Sequence, residues 1–262
     1  MIKLIATDID GTLLNEGQDN INPEIFEVIL KLKEQGIMFT AASGRQYVSM
    51  RQLFKPVEQE MIFISENGAN VVCRGYEMSF IELNQRNAED LIHYIRKQPG
   101  CYLTVSAGRT MFVEDKDPEF LEILQKSYHN DLTLVDDVLA QNITPIKISI
   151  FKKDGVPDIA EKVIAEWSDR FNTVIAGELW IDFMDYEADK GNALKKIQKI
   201  MNIRKEETMA FGDNHNDIGM MKSAGESYAV ANAQPEVLKA AKHIADTNVN
   251  NGVLKVMKKL LV

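Results

Sequence analysis

Ile2-Lys3-Leu4-Ile5-Ala6-Thr7-Asp8-Ile9-Asp10-Gly11-Thr12 is the stretch on which the fold turns. Residues 2–7 form a near-continuous apolar run, and such runs suit a parallel strand buried on both faces. The run breaks at two carboxylates one residue apart. Side chains alternate along an extended backbone, so Asp8 and Asp10 can point the same way. Gly11 lets the chain turn at once. Asp-Gly is also common in plain surface turns, and that reading stands beside the functional one. The apolar run favours the functional reading, because it puts paired acids at a buried strand end, where they are costly unless a cation compensates. In that setting Asp8 is a candidate carboxylate nucleophile toward phosphorus. Asp10 is a candidate acid for the leaving oxygen and a base for water.

Outward from this stretch, short apolar runs alternate with amphipathic ones, the α/β pattern. Asn22 is a good helix N-cap with Pro23 in the first turn. Ile25, Phe26, Ile29, Leu30 and Leu32 make a stripe, and Gly36 stops it. Residues 38–42 and 61–64 read as buried strands, the second followed by a turn at Glu66-Asn67-Gly68. From about Asn84 the texture changes. Helical patterns at 88–97, 118–128 and 159–167 are interspersed with strand-like 102–105, 110–113, 146–151, 173–175 and 180–183. Paired strands between helices suggest an antiparallel sheet with helices on one face. A helix then opens at Lys190 and runs to about Met201, residues 208–211 and 228–230 read as strands, and 253–261 as a closing helix. The expected fold class is α/β. A doubly wound parallel, Rossmann-like core sheet occupies 1–83 and 186–262, with an inserted α+β cap domain at 84–185.

Three further signatures fall where buried strands end or helices begin, the edge at which open parallel sheets bind ligands. Ser43-Gly44-Arg45 offers a hydroxyl, a glycine N–H and a following helix start, which together can make a phosphate-binding corner. A short polar loop is an equal reading, and Arg45 either reaches substrate or faces solvent. Asp189-Lys190-Gly191-Asn192 sets a cation at a helix N-terminus, where the helix dipole disfavours it, so it hints at an anionic partner. Alone, it reads as a surface lysine. Gly212-Asp213-Asn214-His215-Asn216-Asp217 clusters oxygen ligands after a strand, which suits magnesium; a capped loop is the alternative.

Composition limits the function classes. The chain has 262 residues, 45% hydrophobic and 26% charged, with no apolar stretch long enough to span a bilayer. No signal peptide is evident at the N-terminus. Cys73 and Cys101 lack metal-ligand spacing, and a reduced, cytoplasmic protein is expected. A net charge of −9 argues against a nucleic-acid partner. It also sets a problem for an anionic substrate. A phosphate ester brings about −1.5 to −2 charges, so the site must supply local positive charge.

Taken together, these residues resemble the haloacid dehalogenase superfamily of phosphohydrolases, in its Cof-type branch with a C2B-type α/β cap. The order matches: Asp8-x-Asp10-Gly-Thr, Ser43-Gly44, Lys190-Gly191, then Gly212-Asp213-x-x-Asn216-Asp217, and the resemblance runs from residue 3 to the last helix. The Asn67-Gly68-Ala69 turn also looks like this branch. The resemblance implies a Mg2+-dependent phosphatase hydrolysing a small phosphorylated metabolite (sugar phosphate, nucleotide or cofactor phosphate) through an aspartyl-phosphate intermediate. It implies that Asp8 is nucleophile and metal ligand, that Asp10 is acid/base and a ligand through its backbone carbonyl, and that Asp213 is the third ligand. Ser43, Gly44, Lys190, Asn216 and the backbone of Ile9 would hold the phosphoryl oxygens, and Asp217 would support Lys190 or a water on the metal. Crowding by other acids is expected to raise the pKa of Asp10. His215 occupies a variable position and receives no role; His93, His129 and His243 are expected at the surface or in the cap. Cap candidates for recognising the substrate are Arg109, Tyr128, Lys147 and Asp185. A sugar phosphomutase of the same superfamily and a non-catalytic metabolite-binding protein are the alternatives. A transporter-type ATPase is disfavoured, because its Asp-Lys-Thr-Gly-Thr motif and membrane spans are both missing.

Overall fold

The computed structural model describes residues 1–15, 20–127 and 129–261; Tyr128, named above, lies outside the described residues. The chain divides into two compact units, Met1–Ser79 with Asp189–Val262, and Phe80–Ala188. Strands β1 (Leu4–Asp8), β2 (Met38–Ala42), β3 (Met61–Ser65), β4 (Asn70–Cys73) and β5 (Tyr76–Phe80) come first. Six follow: β6 (Tyr102–Ala107), β7 (Thr110–Val113), β8 (Leu132–Leu134), β9 (Pro145–Phe151), β10 (Asn172–Ala176) and β11 (Trp180–Met184). The last are β12 (Thr208–Gly212), β13 (Glu226–Val230) and β14 (His243–Ala245).

Among the described residues, the first unit holds the sheet β14-β13-β12-β1-β2-β3-β4-β5. Its pairings from β14 to β3 are parallel. Alternation sends β1 side chains to two cores. Leu4 and Ala6 share one with Leu194 and Ile197 of the helix Lys190–Met201. Ile5 shares the other with Ile25, Val28 and Leu32 of the helix Glu24–Glu34. That second helix starts one residue later than its sequence predicts, with Pro23 rather than Asn22 at the N-cap, and the Asn22 side-chain oxygen accepts from the Glu24 N–H at 3.0 Å. The parallel core carries an addition. β4 runs antiparallel to β3, and the two-residue turn Arg74-Gly75, at φ +50 and +78°, leads back into β5.

The second unit holds the sheet β10-β11-β9-β6-β7-β8, antiparallel except for the β7–β8 pair. Leu103, Val105, Ile148, Ile150, Ile181 and Phe183 join the core made with the helices Gln85–Ile95 and Pro157–Trp167. Helices do not keep to one face as expected. Phe120 and Leu124, on the segment that begins at Pro118, form a separate core with Met111, Val113 and Phe151 on the opposite face. Their i, i+4 spacing places both on one side of that segment. The same sheet face buries Thr104, Ser106, Lys147, Ser149 and Asp182. Lys147 pairs with Asp182 at 3.4 Å, and the Ser149 hydroxyl donates to Asp182 Oδ1 at 2.7 Å. No helix among the described residues is long and apolar enough to cross a membrane. Cys73 and Cys101 are free thiols.

Candidate active site

In the first unit the sheet order reverses between β1 and β12: chain order moves one way through β2 and β3, and the other through β13 and β14. Such a reversal leaves a crevice outside the carboxyl ends of the strands. Four polar segments converge there. Asp8 is the last residue of β1, Ser43 follows β2, Glu66–Gly68 follows β3, and Asp213 follows β12.

Lys190 is the first residue of its helix and only 1% exposed. Its ammonium donates to Asp8 Oδ1 at 2.6 Å and to Asp217 Oδ1 at 2.7 Å. Two carboxylates thus answer the unfavourable helix dipole. Burial works to lower the Lys190 pKa, but Asp217 and Asp8 outweigh it and carry it above the ordinary lysine value. Asp8 has the opposite problem. Its burial pushes the carboxyl well above the usual carboxylate range despite Lys190, and Asp217, Asp213 and Asp10 push the same way.

Asp10 is held by a guanidinium. Its carboxylate is gripped by the Arg45 guanidinium, Nη2 to Oδ1 at 2.7 Å and Nε to Oδ2 at 2.9 Å. The Asp10 side chain turns toward the loop after β2, where Arg45 meets it. The Ser43 hydroxyl sits at the same junction, 3.4 Å from Asp10 Oδ2 and accepting the Arg45 N–H at 3.1 Å. Arg45 therefore neither reaches outward to solvent nor stands alone.

Across the crevice, Asp213 Oδ1 accepts from the Thr12 hydroxyl at 2.6 Å. Gly11 makes this approach possible: it lies at φ +85°, and a Cβ there would collide with the Asp213 carboxylate. Asp217 is fully engaged. Oδ1 meets Lys190, and Oδ2 accepts the backbone N–H of Asp213 and of Asn214, each at 3.0 Å.

The donor set fits a hard divalent cation. Asp8, Asp213 and Asp217 each bring a carboxylate oxygen within 4.8 Å of the other two. With Asp217 committed, Asp8 and Asp213 are the pair left to face an ion, and Asp8 Oδ2 is buried without a hydrogen-bond partner. Counted as ionised, Asp8, Asp10, Asp213 and Asp217 outnumber Lys190 and Arg45, a formal surplus of two negative charges. An all-oxygen set with that surplus suits a hard divalent cation.

Asn216, expected to be a phosphate donor, gives its side-chain N–H to Asn67 Oδ1 at 3.0 Å. Gly44 packs against the same Asn67, with 3.1 Å between that amide nitrogen and the place of a Cβ. Arg45, Thr12 and Asn67 are thus functional-site neighbours to which the sequence assigned no settled role. His215 and His243 are exposed and pair with Glu236 and Glu226. In the second unit, Arg109 is exposed in the β6–β7 turn, Asp185 caps a turn by accepting the Glu187 N–H, and Lys147 is the buried partner of Asp182.

Known proteins resemble this chain along nearly its whole length. A family model for haloacid dehalogenase-like hydrolases matches residues 5–257. The 5-amino-6-(5-phospho-D-ribitylamino)uracil phosphatase YbjI of Escherichia coli (strain K12) is 31% identical, over 99% of this chain and 96% of that protein. YcsE of Bacillus subtilis (strain 168), which bears the same phosphatase name, is 26% identical over 98% of this chain and 95% of its own. A crystal structure from Eubacterium rectale superposes with a TM-score of 0.90 at 34% identity, covering 99% of both chains.

Proposed function

The chain belongs to the haloacid dehalogenase-like hydrolase family as one of its phosphatases, and we propose that it dephosphorylates a small metabolite with Mg2+ through an aspartyl phosphate on Asp8. The observation that carries this reading is the buried Asp8–Lys190–Asp217 triad at the carboxyl end of β1, beside Asp213. Two of the relatives are named for 5-amino-6-(5-phospho-D-ribitylamino)uracil, which makes that compound the first substrate to test.

Phosphoryl transfer is chiefly positioning and charge compensation. Lys190 holds Asp8 Oδ1 and so fixes the nucleophile's orientation. Asp217 fixes Lys190 in turn, and its other oxygen organises the loop that carries Asp213. The Ser43 hydroxyl lies beside Asp10, and with the Gly44 N–H it would hold the phosphoryl oxygens there. In the first step an Asp8 oxygen bonds to phosphorus while the ester oxygen leaves with a proton from Asp10. In the second, water gives a proton to Asp10, attacks the phosphorus of the aspartyl phosphate and releases inorganic phosphate, restoring both acids. Arg45 aims the Asp10 carboxylate between these proton transfers. When bound by Asp8, Asp213 and the Asp10 carbonyl, Mg2+ supplies the positive charge that lets a phosphate approach an acidic pocket.

The test is phosphate release from p-nitrophenyl phosphate and from a panel of phosphorylated metabolites with Mg2+. Turnover should cease on chelation and return with added Mg2+, and Asp8→Asn should lower it by at least about 10³-fold. A panel without turnover would defeat the enzymatic reading in favour of metabolite binding. Label passing between sugars without net release would favour a phosphomutase.

A further inference from the structure

We propose that Asn67, in the Glu66–Gly68 turn after β3, positions the phosphate-binding residues Gly44 and Asn216. The claim rests on the phosphatase reading above and adds a residue to which that reading gives no work. Three successive residues hold positive φ: Glu66 at +50°, Asn67 at +54° and Gly68 at +106°. Two of them are not glycine, and such backbone persists only where its surroundings hold it. The surroundings here are the other motifs. The Glu66 N–H donates to the Arg45 carbonyl at 3.0 Å, and the Asn67 N–H to the Ser43 carbonyl at 2.9 Å. Gly68 abuts the residue before Lys190, because a Cβ on it would lie 2.5 Å from the Asp189 carbonyl oxygen.

The side chain completes the frame. Asn67 is 4% exposed, and its Oδ1 accepts from Asn216 at 3.0 Å. The Oδ1 of Asn216 is itself buried without a partner, so its amide is held by this one bond. β3 and β12 are separated in the sheet by β1 and β2, about 14 Å at ordinary strand spacing. The Asn67–Asn216 bond therefore reaches across the ends of the strands that present Asp8 and Ser43. Asn67 touches no reacting atom; it acts through Asn216 and through the Gly44 backbone that packs on it.

The experiment measures KM and kcat for p-nitrophenyl phosphate and the affinity of the Mg2+-loaded protein for inorganic phosphate by calorimetry. The proteins are the wild type, Asn67→Gly, Asn216→Ala and the double variant. Glycine keeps the left-handed backbone and removes only the side chain. Each single change should weaken phosphate binding and raise KM about five- to tenfold, the weight of one hydrogen bond, with a smaller change in kcat. The double variant should lose less than the product of the two single losses, since the Asn67–Asn216 link is broken in both. Unchanged phosphate affinity in either single variant, or losses that multiply in the double, overturns the assignment. If Asn67→Gly does not fold, Asn67→Ser, whose side chain is too short to reach Asn216, takes its place in the same affinity measurement. A wild-type protein that binds phosphate without hydrolysing the ester counts against the phosphatase reading and leaves the affinity comparison to judge Asn67.

Discussion

Among the described residues two lysines are buried, one in each unit, and they are buried for different ends. Lys147 sits mid-strand in the second unit, diagonal to Asp182 on the neighbouring strand, with the Ser149 hydroxyl on the same carboxylate. There a cation meets an anion inside a single sheet. Lys190 sits at a helix start where loops from distant parts of the chain meet, and it serves two carboxylates within a group of four. A pair matched locally serves the fold, and is a weak argument for anything more. A lysine embedded in surplus negative charge is costly to keep, and it makes sense where a cation and a phosphate complete the balance.

Removing each lysine tests that contrast. Lys190→Met leaves Asp8 and Asp217 buried without their cation; it should abolish turnover and lower stability by about 3–5 kcal/mol, read by phosphate release and urea denaturation. Retained activity would break the comparison. Arg45→Ala should leave metal binding intact and lower kcat about 10- to 100-fold by freeing Asp10, with Arg45→Lys, which cannot grip with two nitrogens, in between. Lys147→Met should lower stability by about 1–3 kcal/mol and keep hydrolysis of an aryl phosphate. Turnover falling as far as in Lys190→Met would show that the two lysines are not different in kind.

The smallest effect is an acid one in the second unit. Asp117 is held at about 2, below its ordinary 3.8, by the Phe120 N–H, with Lys153 and the Tyr102 hydroxyl adding to it. Its contribution to stability is complete above about pH 4 and is lost as pH falls through about 2. Both tryptophans, Trp167 and Trp180, lie in this unit, so their fluorescence on acid titration should show the wild type losing an advantage that Asp117→Asn lacks throughout.

The carboxylates, Lys190 and the strands that carry them were legible because each announces itself locally. An apolar run ends in acids, and a glycine marks the turn. Edge structure was not. β5 and β14 expose residues along much of their length, so neither shows the apolar run that marked β1, and the β4–β5 hairpin went unread. Partners were equally hidden. Nothing local to Arg45 names Asp10, which is 35 positions away, and Asn67 reads as a turn residue until Asn216, 149 positions on, is seen to hold it. Side-chain geometry across such separations is a property of the folded sheet.

The bond between Asp8 and Lys190 joins residues 182 positions apart, with the whole second unit between them. At ordinary rates of synthesis, Asp8 is made roughly 10–40 s before its lysine. β1 can pair early with β2, but its other neighbour, β12, arrives later still. Asp8 therefore waits in a half-built sheet until β12 and Lys190 have been made, and its contacts with them carry the entropic cost that long-range closure imposes on folding. The length of the insertion thus sets how long synthesis holds the two halves of this site apart.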